Sequence, residues 1–105
     1  VVKLAKWADF VITKVRYSDD KQFIAKVEVR EDLGNSVGSV YEEERIKVVE
    51  NLKVGRSYCT TPTDKGTMRL LRGEMVGIVV IDGREFIRTD KNQTKRDNLG
   101  ELPEF

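Results

Sequence analysis

The run from Phe23 to Arg30 alternates: Phe23, Ala25, Val27 and Val29 share one side, and Ile24, Lys26, Glu28 and Arg30 share the other. A period of two belongs to a half-buried antiparallel strand, because a helix of 3.6 residues per turn scatters the same pattern around its circumference. Such a strand needs a neighbour for its backbone groups. One stands upstream, where Asp9 to Tyr17 (DFVITKVRY) is rich in β-branched and aromatic residues. Ser18, Asp19, Asp20 and Lys21 form the polar turn between them. The two runs are expected to form a hairpin.

From Glu31 to Ser39 the chain reads as a loop, broken by Gly34, Asn35, Ser36 and Gly38. A helix is predicted over about residues 40 to 53. Ser39 with Glu42 makes a capping box, and Glu42, Glu43 and Glu44 suit the positive end of the helix dipole. Ile46, Val48, Val49 and Leu52 supply the apolar stripe, Lys53 suits the negative end, and Gly55 is the expected left-handed stop. Arg56 to Thr61 reads as a short strand ended by Pro62, and Thr63 to Gly66 as a turn. Thr67 to Arg72 and Glu74 to Ile81 read as one long strand bent at Gly73. Asp82-Gly83 marks a tight type I′ hairpin, with Arg84 to Thr89 as the return strand. Leu99, Leu102 and Phe105 are the apolar groups of a polar tail, residues 90–105, that is expected to pack on the sheet.

These elements predict an α+β fold in the order β-β-α-β-β-β. Its sheet is expected to be five-stranded, mainly antiparallel and strongly curved or barrel-like, with one helix across an opening. At 105 residues the chain suits a single domain over residues 9–105, preceded by an extension, residues 1–8. No apolar run approaches the ~18 residues of a membrane span. Lys3, Lys6 and Asp9 interrupt the start as a signal peptide would not.

Chemistry is constrained by what is scarce. There is no histidine, and Cys59 is the single cysteine. An internal disulfide is therefore excluded, the usual zinc spacings are missing, and proton transfer near neutral pH has lost its commonest agent. This fits a reducing, cytoplasmic setting. Asp82 with Glu85, or Asp90 with Asp97, are the carboxylate pairs a reaction would need, but a turn and an exposed strand side explain the first pair better. Cys59 sits mid-strand, where a small buried thiol is the usual finding. Gly34 and Gly38 precede the predicted helix without the lysine and hydroxyl of a phosphate loop, and three glutamates would repel the anion. The expectation is a protein that is not an enzyme and that carries no cofactor and no metal.

Binding is the remaining class. The charge balance, 19 basic against 18 acidic residues, lacks the excess of a non-specific nucleic-acid binder. Lys65, Arg69, Arg72, Arg84 and Arg88 could still converge on one basic face, with Tyr17, Tyr58 and Phe86 as stacking platforms. Trp7, Leu102 and Phe105 are the candidate contacts to a protein partner or to a second copy in a homodimer. Protein binding is the leading expectation and nucleic-acid binding the alternative; no membrane contact is expected.

Several segments carry a resemblance: Ile12 to Tyr17 (ITKVRY), Lys26 to Gly34 (KVEVREDLG), Tyr58 to Pro62, the Ile81-Asp82-Gly83 turn, Ile87 to Asp90, and above all the ending Asp97 to Phe105 (DNLGELPEF). Over about residue 9 to the end the chain resembles domain-of-unknown-function family 3892, a group of short bacterial proteins. The resemblance implies a domain boundary near residue 9 and a prokaryotic or phage-like origin. It implies no activity and no site residues.

Overall fold

The computed structural model describes residues 6–20, 22–34, 36–62, 72–89, 97–99 and 102–105. Its elements are β1 (Phe10–Tyr17), β2 (Ile24–Glu31), β3 (Tyr41–Glu44), α1 (Arg45–Lys53), β4 (Tyr58–Thr60), β5 (Gly77–Ile81) and β6 (Arg84–Arg88). The fold is α+β, with one helix among the described residues and two sheets.

β1 and β2 pair antiparallel, as the alternating run requires, but two register shifts change which side chains point inward. Pairing passes from Ile12↔Val29 to Lys14↔Glu28, leaving Thr13 extra, and from Arg16↔Lys26 to Tyr17↔Ile24, leaving Ala25 extra. Each bulge inverts the alternation locally. Ile24 thereby joins Val27 and Val29 in the core while Ala25 is exposed, which corrects the simple two-face reading of this run. On β1 the bulge lets Ile12 and Val15 both face the core and turns Lys14 and Arg16 to solvent.

The helix is shorter than predicted. Residues 41–44 are strand β3, paired antiparallel to β2 with Val29↔Tyr41 and Val27↔Glu43. Glu44, in extended conformation, is the N-cap and makes no side-chain cap bond, so the Ser39–Glu42 capping box does not form. A capping box satisfies two amides of one helical turn, whereas strand pairing satisfies backbone groups on both chains along a whole β2 edge. The other end follows expectation. Gly55 is left-handed (φ 92°), its N–H donates to Leu52 O at 3.2 Å, and Arg56 N–H donates to Asn51 O at 2.9 Å, a Schellman closure.

The larger sheet is four-stranded, in the order β3-β2-β1-β4. β4 runs parallel to β1, so β3 and β4 share one direction and α1 is the crossover between them. β5 and β6 form a separate two-stranded sheet around Asp82 and Gly83, both at positive φ as the type I′ turn demands. Residues 73–76 link the sheets along β4: Thr60 N–H donates to Glu74 O at 3.0 Å, and Val76 N–H to Tyr58 O at 2.9 Å. Gly73 packs so tightly on Thr60 that any Cβ would overlap its hydroxyl. Among the described residues the expected five-stranded, barrel-like sheet is thus corrected to a mixed four-stranded sheet plus a hairpin, and it is not closed; Thr67 to Leu71 of the predicted bent strand lie outside the described residues.

The core lies between the four-stranded sheet, α1 and the hairpin, and includes Ile12, Val15, Val27, Val48, Tyr58 and Ile87. Leu99 and Leu102 of the tail enter the same cluster. Beyond the end of β4, Val15 N–H donates to Pro103 O at 2.9 Å and Val15 O accepts from Phe105 N–H at 3.1 Å. The described tail residues thus continue the lane that β4 vacates on the edge of β1.

Candidate functional site

Of the five residues expected to form a basic face, three lie among the described residues. Arg72 and Arg84 are exposed, but Arg88 is buried, with 2% of its surface accessible, and its backbone bridges Asn98. Arg88 therefore belongs to the interior and is withdrawn from any contact surface. Lys65 and Arg69 lie outside the described residues. Of the proposed stacking platforms, Tyr58 and Phe86 are core: Tyr58 stacks on Phe10 at 5.1 Å and Phe86 on Phe23 at 5.7 Å. Tyr17 is half-buried.

The candidate partner contacts also serve the fold. Trp7 is half-buried and its backbone N–H donates to Asp32 Oδ2 at 2.7 Å. Leu102 is buried in the core. Phe105 is half-buried beneath Arg16, whose guanidinium carbon stands 4.7 Å from the ring centroid and whose Nε donates to the Phe105 carbonyl at 2.7 Å.

Three polar clamps that sequence reasoning missed hold these elements. The Asp97 carboxylate, fully buried, accepts Arg45 Nε at 2.6 Å and Nη2 at 3.1 Å, and the N–H groups of Ile24 and Ile87 at 2.8 Å each. Asp32 accepts Trp7 N–H, Ala8 N–H at 3.2 Å and Gly34 N–H at 2.9 Å. Within the core, Asn51 Nδ2 donates to the Tyr58 hydroxyl at 2.8 Å, and that hydroxyl donates to Glu43. Burial, reinforced by the Glu43 carboxylate, pushes the Tyr58 phenol well above its ordinary value. The sequence offered Asp97 as half of a carboxylate pair with Asp90; nothing there pointed to Arg45, which is 52 positions away.

Several of the described groups with reactive potential are engaged within the fold. Cys59 is fully buried, its Sγ contacts Thr60 O at 3.3 Å, and burial raises its pKa, which works against a thiolate. Glu85 pairs with Lys53 at 2.9 Å. Asp90 lies outside the described residues and Asp97 is engaged with Arg45. Among the described residues no group of His, Cys, Asp or Glu is arranged to hold a metal ion, and no helix is long and apolar enough to cross a membrane.

What remains is a set of strand edges. The far edge of β6 is covered: Glu85 O accepts Arg45 Nη2 at 2.6 Å, Ile87 N–H goes to Asp97, and Ile87 O accepts Asn98 N–H at 2.9 Å. These bonds set the phase of the hairpin. If Glu85 and Ile87 turn their backbone groups away from β5, then Phe86 faces its partner Val79, and Ile78 and Val80 present theirs on the opposite edge of β5. Among the described residues no hydrogen bond reaches Ile78 or Val80 on that edge. The strand, GIVVI, carries no charge, and Val80 is 59% exposed. By contrast, edge strand β3 carries three consecutive glutamates, a common device against strand addition.

No curated protein and no solved structure matches this chain. Residues 11–103 match a family described as protein of unknown function, and this span, nearly the whole chain, places the protein in the DUF3892 family.

Proposed function

We propose that this protein is a small non-enzymatic binding module that engages a protein partner, or a second copy of itself, by strand addition at β5. The observation that carries the reading is the uncharged GIVVI edge, with the backbone groups of Ile78 and Val80 turned outward and no hydrogen-bond partner on that side among the described residues. Natural sheets usually blunt such an edge with charge, proline or a covering element. Among the described residues, neighbouring edges are charged or covered and this one is neither. An extended segment laid along it would gain main-chain hydrogen bonds from Ile78 and Val80 and apolar contact with Val80.

Sedimentation and partner titration test the reading with Val80→Lys, which puts a charge on the exposed edge side chain. Self-association or partner capture is expected to fall at least tenfold, with the thermal unfolding midpoint nearly unchanged. A wild-type chain that stays monomeric and binds no extended segment would remove the proposal. Nucleic-acid binding is the weaker reading. Arg88 is interior, and the cations on the open face of the larger sheet, Lys14, Arg16 and Lys26, are interleaved with Glu28 and Glu42. Salt-dependent gel retardation of short DNA or RNA would restore it.

A further inference from the structure

We draw no further inference here: the strongest candidate, self-pairing of the uncharged β5 edge (Gly77–Ile81) with the same strand of a second copy, belongs to the site already described, and nothing in the structure shows what covers it.

Discussion

Four donors converge on the Asp97 carboxylate, two from Arg45 and two from the backbones of Ile24 and Ile87, and together they fill its acceptor capacity. The guanidinium meets it side-on through Nε and Nη2, the geometry in which arginine is better than lysine, while Arg45 also lies over the Phe23 ring at 5.2 Å. A buried ion pair offers little net gain over an apolar pair of the same shape, but breaking one is costly because the remaining charge is stranded. Asp97→Asn keeps the shape and removes the charge, so it should lose about 3–5 kcal/mol, read as a fall in the urea midpoint at unchanged slope. The same substitution should loosen the start of β2, β6 and the first turn of α1 together, visible as faster amide exchange at Ile24 and Ile87. Arg88 and Cys59 make a related point. Their types suggested surface contact for one and an inert core thiol for the other; the thiol is in the core, and the arginine is there too.

Helix α1 is well closed at one end and poorly at the other. Its C-terminus has the Gly55 closure and Lys53, while its N-cap, Glu44, makes no side-chain bond. Asp is among the best N-cap residues and keeps the charge, so Glu44→Asp should raise stability by about 0.5–1 kcal/mol in thermal unfolding. The tie between β3, α1 and β4 through Glu43, Tyr58 and Asn51 sets the alkaline limit. Because burial raises the Tyr58 pKa, the folded chain holds that proton more tightly than the unfolded chain does. The stabilisation is therefore complete below the unfolded value of about 10 and is lost as pH rises above it. Stability should fall above that pH by up to about 1.4 kcal/mol per pH unit from this group, and Tyr58→Phe should flatten the fall. At neutral pH the same variant should be less stable by roughly 1–3 kcal/mol, since it leaves Asn51 and Glu43 without their buried partner.

At the level of the whole molecule, the chain closes some of its sheet edges with its own segments and, among the described residues, leaves another without a hydrogen-bonded neighbour. The tail is part of the core on one side and surface on the other, which gives a contrast within three residues. Leu102→Ala should cost about 2–4 kcal/mol as a buried large-to-small change. Glu104→Ala, at an exposed position, should stay within about 0.5 kcal/mol in the same chemical-denaturation series. A tail that merely trailed in solvent would make both changes silent.

Much of the local architecture could be read directly from residue order. Strand periodicity, the Asp82-Gly83 turn and the Gly55 stop depend on conformational preferences of neighbouring residues, and these are present in the unfolded chain as well. The lone cysteine was likewise legible as a mid-strand thiol. Tertiary structure alone decided that residues 41–44 pair with β2 instead of starting a helix, that β4 runs parallel to β1, that Thr13 and Ala25 bulge, and that Arg45 finds Asp97. Those outcomes follow from satisfying backbone groups and a buried charge across long sequence separations, and no local preference encodes which distant partner completes the set.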